Sequence, residues 1–279
     1  MAVARDPDTI ERTGAQSIGR AFALMRLVAS GRESGVGLSD IATLAGLPRP
    51  TAHRILAALV REGMVEQKPR TRRYVLGEEV QFLALSRTVR PGLVRDADPL
   101  LARAAAEIGD TLFLTLRSGH DTICIGRRLG SYPIQVLVLD AGDRRPLGIS
   151  SAGIAILACL PEREAAAILR ENEVRLRARG SSVRQALEEV ARARALGHVL
   201  RAPGLVPGTR AVSVPIRRGS GEALAALTVA AVSRRLAPAR IEALLDALHR
   251  HAAAFTPILA RGVAETPWSG DDPSGSPNP

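Results

Sequence analysis

The sequence predicts an α+β chain in two folded parts, a winged helix-turn-helix unit on the N-terminal side and a domain of strands and helices beyond it. Three observations predict it. Residues 38–62 read as helix, tight turn, helix, because Ile41, Ala42, Leu44 and Ala45, and then Ala52, Ile55, Leu56 and Leu59, recur at helical spacing on either side of Gly46-Leu47-Pro48. Residues 64–77 follow as two short strand-like runs around the basic turn Lys68-Pro69-Arg70-Thr71-Arg72-Arg73, the sequence form of a wing. From residue 111 the apolar period falls to two, returns to helical, and falls to two again, an order that fits an α+β sheet domain with helices on its face.

At 279 residues the chain is long enough for two domains that each bury a core. Hydrophobic residues make up 46% and charged ones 24%, an ordinary soluble composition. Cys124 and Cys159 are too few for a disulfide framework, so a reducing, cytoplasmic setting is expected. The longest apolar run, near residues 154–160, falls well short of the roughly 20 residues a spanning helix needs, and residues 1–13 lack the apolar stretch of a signal peptide, so no membrane partner is expected. The net charge of +10 is spread along the chain and decides little. Its placement decides more: within residues 49–73, Arg49, Arg54, Arg61, Lys68, Arg70, Arg72 and Arg73 stand against only Glu62 and Glu66, a local basic footprint of the kind that meets phosphates.

Taken in order, residues 1–15 are polar and aperiodic, with Pro7 and Gly14, and are expected to form a flexible leader. Ile18, Phe22, Met25 and Val28, with Ala21 and Leu24, form a helical stripe that would pack behind the helix pair. Ser39 is placed to cap the first helix of that pair. The second runs from Pro50 toward Glu62 and turns Pro50, His53, Arg54, Ala57 and Arg61 outward. A basic front on a lone helix is usually a solvated face, but the tight turn before it and the basic wing after it favour DNA. Arg49, Pro50, Thr51, His53 and Arg54 occupy its first turns, the part of a recognition helix that reaches base edges, while Arg70, Arg72 and Arg73 suit phosphate or the minor groove.

Residues 78–89 read as a connecting helix stopped by Pro91-Gly92, and another helix is expected from Pro99 through Ile108. Residues 111–117 and 122–128 are strands around the hairpin signal Ser118-Gly119-His120-Asp121, and residues 134–139 read as a third strand. Helices are expected over 150–160, 161–170 and 182–196, strands over 211–216 and 223–232, and a closing helix over 238–259. Residues 263–279, rich in Pro, Ser, Gly and Asp, are expected to be disordered. The domain plan is a leader over 1–15, a winged helix-turn-helix domain over 16–77, a linker helix over 78–97, a C-terminal domain over 98–262 and a tail over 263–279.

Ser150 and Ser151 invite a nucleophile reading, but Gly148-Ile149-Ser150-Ser151-Ala152 lacks the second glycine of a nucleophile elbow, and a helix cap is the simpler role. A helix start there could also turn N–H groups toward an anion. His249 and His251 are two residues apart and face away from each other on a helix, and His120 and His198 stand alone, so no metal spacing exists. No glycine loop is followed by lysine as nucleotide phosphates require. No catalytic residue, metal or cofactor is expected.

Four segments in this order and spacing resemble the IclR family of bacterial transcriptional regulators over about residues 16–262: Leu38-Ser-Asp-Ile-Ala-Thr-Leu-Ala-Gly-Leu-Pro-Arg-Pro-Thr-Ala-His-Arg-Ile-Leu, Arg73-Tyr-Val-Leu-Gly, Ser151-Ala-Gly-Ile-Ala-Ile-Leu-Ala-Cys-Leu-Pro-Glu, and Gly208-Thr-Arg-Ala-Val-Ser-Val-Pro-Ile. The resemblance implies an operator-binding domain, a linker helix and a GAF-like effector-binding domain that senses a small molecule, in homodimers frequently paired into homotetramers. It implies an effector site near Ser150, Ser151, Ala152, Arg201, Ala211 and Ser213. Two departures stand out. Pro50 occupies a position where the family usually has Ser or Thr, and Arg201 or Ala202 and Ala211 stand where some members carry an acid and a cysteine. An anionic effector, an organic acid facing Arg201, is therefore expected. The rival expectations are a hydrolase acting at Ser150 or Ser151 with a tethered DNA-binding module, and a structural nucleoid protein.

Overall fold

The computed structural model describes residues 7–86, 92–202, 206–217 and 221–262. Its first helix, α1, spans Pro7–Ala29, so the expected flexible leader is helical from Pro7 onward. A proline at the first helical position forfeits only an N–H that would be unbonded anyway, and once a helix is nucleated each further residue adds a bond. Residues 1–6 and the expected tail, 263–279, lie outside the described residues.

Helices α2 (Leu38–Ala45) and α3 (Arg49–Arg61) meet at Gly46, whose φ of 63° lets its N–H return to the carbonyls of Ala42 and Thr43. The residue that caps α2 is Gly37 and not Ser39, which is the second residue of the helix. Val36 and Tyr74 exchange two backbone hydrogen bonds of 2.9 and 2.8 Å, which hold the chain extended up to Val36 and set the turn into the helix at Gly37. Strands β1 (Val65–Gln67) and β2 (Tyr74–Leu76) pair antiparallel, Val65 opposite Leu76, and form the wing. Leu24, Val28, Ile41, Ala52, Leu56, Val65 and Tyr74 are buried together as the core of this unit. The outer end of the α1 stripe does not pack there: Ile18 is 61% and Phe22 51% exposed.

Helix α4 covers Glu79–Ser86, and residues 87–91 lie outside the described residues. Helix α5 is Gly92–Ile108, beginning before Pro99, which sits inside it at the loss of one main-chain hydrogen bond. The rest is a six-stranded antiparallel sheet and its helices. Its strands are β3 (Thr111–Ser118), β4 (Asp121–Arg128), β5 (Arg144–Pro146), β6 (Val199–Arg201), β7 (Thr209–Arg217) and β8 (Ala223–Val232), in the order β5-β4-β3-β8-β7-β6. Between them run α6 (Ser151–Leu157), α7 (Glu162–Glu171), α8 (Glu173–Arg177) and α9 (Val183–Leu196), and α10 (Pro238–Gly262) closes the domain.

Alternation along the strands divides the sheet into two faces. Leu112, Leu114, Val212, Val214, Ile216, Leu227 and Val229 form one core with Leu101, Ala105, Leu244, Leu248 and Phe255 of α5 and α10. The alternate residues, Phe113, Thr115, Ala211, Ser213, Thr228 and Ala230, face α6 and the segment after β4. That segment includes residues 134–139, expected as a third strand, which form no strand. Val136 N–H donates to the Thr111 hydroxyl at 3.1 Å, and the carbonyls of Val138 and Leu139 accept from Arg145 and Arg127, each at 3.1 Å. The period-two pattern is real, with Val136 buried and Leu137 59% exposed, but the run lies across the sheet, held by side chains, and Arg144–Pro146 takes the edge beside β4.

Candidate DNA interface and ligand cavity

On α3, Ala52 and Leu56 face inward with no exposure, which turns Arg49, Pro50, His53, Arg54, Ala57 and Arg61 to solvent and leaves Thr51 half-buried. Arg49 and His53 line an open groove with Gly37, Leu38, Ser39, Asp40, Gln67, Thr71, Arg72 and Tyr74, between α3, the start of α2 and the wing. The wing is shaped by its own bonds. Arg72 N–H donates to the Lys68 carbonyl at 2.9 Å, Gln67 Nε2 donates to the Arg72 carbonyl at 2.9 Å, and Arg72 adopts a φ of 55°. The basic residues of the wing divide accordingly. Arg73 Nε donates to the Gly35 carbonyl at 3.0 Å and Lys68 Nζ to the Glu33 carbonyl, so both brace the wing against the body. Arg70 and Arg72 are exposed, and no carboxylate within ion-pair distance of either is found among the described residues. The structure thus offers two wing arginines for phosphate, with Arg73 partly engaged.

The second site lies under α6. Phe113, Thr115, Val136, Val138, Leu139, Ser150, Ser151, Ala152, Thr209, Ala211, Thr228 and Ala230, together with Arg201 and Arg210, line a cavity of about 30 Å³. That is room for about one or two waters. Of the residues expected at an effector site, Ser150, Ser151, Ala152, Arg201 and Ala211 line this cavity; Ser213 lies behind it. Ser213 Oγ donates to Ser151 Oγ at 2.8 Å and pairs with Thr228 Oγ1 at 2.7 Å. Since each hydroxyl has one proton, this chain leaves the Ser151 O–H to donate elsewhere. Ser150 Oγ accepts from Gly153 N–H at 3.2 Å and caps α6, the role its sequence context suggests.

Arg201 is not free. Its Nη2 lies 2.8 Å from both Glu189 carboxylate oxygens and its Nη1 donates to the Ile149 carbonyl. The expectation of an organic acid facing an open Arg201 is corrected by this pairing, which joins residues twelve apart across α9 and β6 and has no signature in the sequence. Arg210, on the strand parity of Val212 and Val214, donates to the Leu236 carbonyl at 2.9 Å, on the opposite side of the sheet. The cavity residues missed from the sequence, Phe113, Thr115, Thr228 and Ala230 among them, alternate with Leu112, Leu114, Leu227 and Val229 of the opposite face; that alternation could have found them. Cys124 packs beside Phe113, Val136 and Ala230, and burial pushes its thiol up to about 11, so it stays protonated and unreactive near neutral pH. Among the described residues no cluster of three or more potential metal ligands occurs, and no helix is long and apolar enough to cross a membrane.

The two sites are joined by one segment. Residues 136–139 wall the cavity, and residues 140–143 continue directly into contact with the winged unit. Arg32, exposed and in a left-handed turn with φ of 48°, places Nη1 3.3 Å from Asp140, Nε 3.3 Å from Asp143 and Nη2 2.9 Å from the Ala141 carbonyl.

Comparison with known proteins agrees with this geometry. Residues 17–69 match the model of the IclR helix-turn-helix domain, and residues 86–256 match that of the bacterial transcriptional regulator IclR C-terminal domain. The chain is 32% identical over 257 residues to the glycerol operon regulatory protein of Streptomyces griseus, covering 88% of this chain and 97% of that one. It is 28% identical over 237 residues to the HTH-type transcriptional regulator BhcR of Paracoccus denitrificans, covering 84% of each. Its fold is similar to the crystal structure of a putative IclR transcriptional regulator from Silicibacter sp. TM1040, with a TM-score of 0.69, 24% identity and coverage of 90% of this chain and 98% of that one. An IclR-family regulator from Brucella abortus gives a TM-score of 0.67 at 21% identity, covering 91% and 96%.

Proposed function

Because the chain belongs to the IclR family of bacterial transcriptional regulators, we propose that α3 and the wing bind operator DNA and that a small molecule in the cavity under α6 sets how tightly they do so. The chain is a transcriptional regulator with a helix-turn-helix DNA-binding domain and a C-terminal effector-binding domain, and not an enzyme. The hydrolase reading of Ser150 and Ser151 falls with that, and both serines have structural or binding work under α6.

The observation that carries the coupling is the shared segment 136–143. A ligand larger than the present cavity must push Val136, Val138 and Leu139 off the sheet, and Asp140 and Asp143, which follow in the chain, carry the Arg32 contacts with them. These are half-exposed ion pairs, worth about 0–1 kcal/mol each. Their loss would shift a balance of orientations several-fold without locking it, which suits a regulator that responds in degree. Helix α4 supplies the covalent path between the same two units.

The surface of the winged unit suits self-association. Phe22, Met25, Leu59, Met64 and Leu83 line an apolar trough along α1, α3 and α4, and Ile18 and Phe22 are largely exposed. A second copy covering it would present two recognition helices to paired half-sites. We take the working unit to be a homodimer able to pair into a homotetramer, acting in the cytoplasm, with domain limits near 16–77, 78–97 and 98–262 and a GAF-like sensing domain. The test is a band-shift titration of the full chain against the DNA upstream of its own gene, repeated with a metabolite panel. A site-preferring shift altered by at least one metabolite is expected. Binding without site preference would favour a nucleoid protein instead.

A further inference from the structure

The cavity under α6 says what kind of molecule it accepts, on the reading that it is the effector site. Thr115 is 2% exposed, lines the cavity, and its Oγ1 has no hydrogen-bond partner. A buried hydroxyl left unpaired costs about 1–3 kcal/mol, so a partner arriving from the cavity recovers that loss. Thr115 stands in regular register with Ala226 of β8, on the same face of β3 as Phe113, and the β3–β4 register slips beside it, where Ile125 of β4 is left without a partner. Across the cavity, the hydroxyl chain from Thr228 through Ser213 to Ser151 ends in an unassigned O–H.

The two charged side chains that line the cavity are both engaged. Arg201 holds both oxygens of Glu189, and Arg210 turns its guanidinium to the other side of the sheet. The remaining lining side chains, Phe113, Val136, Val138, Leu139, Ala211 and Ala230 chief among them, carry no charge. A carboxylate entering here would lose its hydration and meet no unpaired cation among the described lining residues, a penalty of several kcal/mol. To recruit Arg201 it would have to strip Glu189 of its partner, exchanging one partly buried ion pair for another.

We propose that the cavity takes a small uncharged, mostly apolar molecule bearing one hydroxyl, amide or carbonyl group that bonds to Thr115 Oγ1, and that the Arg201–Glu189 pair excludes organic acids. Its apolar body lies against Phe113, Val136 and Ala230, and its polar group points at β3.

The test uses benzamide and its near-isosteric anion benzoate, with binding to the full chain measured by calorimetry. Benzamide is expected to bind at least roughly tenfold more tightly than benzoate, and Thr115→Val to weaken benzamide several-fold while leaving the benzoate value in place. Glu189→Gln should release Arg201 and raise benzoate affinity by roughly tenfold or more, a gain of binding that a merely misfolded variant would not show. A wild-type preference for benzoate, no binding of benzamide, or no benzoate gain in Glu189→Gln overturns the proposal. Ala211→Leu, which fills the cavity, separates the two levels. Probes that bind Ala211→Leu as well as wild type sit elsewhere and remove the cavity as the sensing site. A benzoate preference that Ala211→Leu abolishes keeps the site and removes only the ligand class.

Discussion

On α3 and the tip of the wing, Arg49, Arg54, Arg61, Arg70 and Arg72 reach solvent with no carboxylate within ion-pair distance among the described residues, whereas in the sheet domain Arg117, Arg128, Arg144, Arg175, Arg201, Arg235 and Arg240 each meet one. Others there, such as Arg194, donate to main-chain carbonyls. The same side chain fastens one half of the molecule and is held out from the other. A guanidinium whose partner is already in the fold contributes to the fold; one whose partner is missing is available to a ligand, and on the winged unit the ligand that offers many anions at regular spacing is a nucleic acid. The contrast also explains why total charge was a poor guide: many of the C-terminal arginines already hold a carboxylate where they stand.

Substitutions can break this contrast from either side. The largest effect is expected at Asp110, 1% exposed and holding Arg235 at 3.1 Å and Arg240 together. Asp110→Ala leaves two cations without their carboxylate and should lower the unfolding free energy by about 3 kcal/mol in a urea titration. Arg54→Ala, on the exposed face of α3, should do the reverse: stability within about 0.5 kcal/mol of wild type, but operator affinity lower by ~1–3 kcal/mol in a band-shift assay if it reads a base. Unchanged binding would remove Arg54 from the contact surface. Arg70→Ala should weaken all sequences about equally and reduce the salt slope by about 1; a loss confined to one site would contradict a phosphate role. Smallest is Arg32→Ala, whose exposed pairs with Asp140 and Asp143 are worth about 1 kcal/mol or less. DNA binding without ligand should survive it while the ligand response shrinks, and an undiminished response would exclude that route.

The winged unit was legible because its signals are local. Helical spacing in residues 41–59, the left-handed Gly46 and the basic turn 68–73 all lie within a few residues of what they build. The hairpin of β3 and β4 and the limits of β8 could be read for the same reason. Where the sequence misled, a distant partner decided. Ser39 lost the cap of α2 to Gly37 because Tyr74 holds Val36 extended. Residues 134–139 carry a strand's alternation, yet Thr111, Arg127 and Arg145 take their backbone groups. Ser150, Ser151 and Ala152, named through the family resemblance, line the cavity at the start of α6, but Thr115 looked like one more strand threonine, and nothing near Arg201 announced Glu189. Pairing across the fold sets the chemistry of a cavity, and periodicity does not record pairing.

The tightness of the cavity has a consequence for the response. At about 30 Å³ the seat is all but shut before anything occupies it. A receptor closed at rest binds only during the fraction of time it gapes, so its apparent affinity is discounted by the rarity of that opening. On the proposed function, the effector concentration at which DNA binding responds is thus tunable through residues that never touch the effector: loosening residues 136–143 lowers the threshold, and stiffening them raises it.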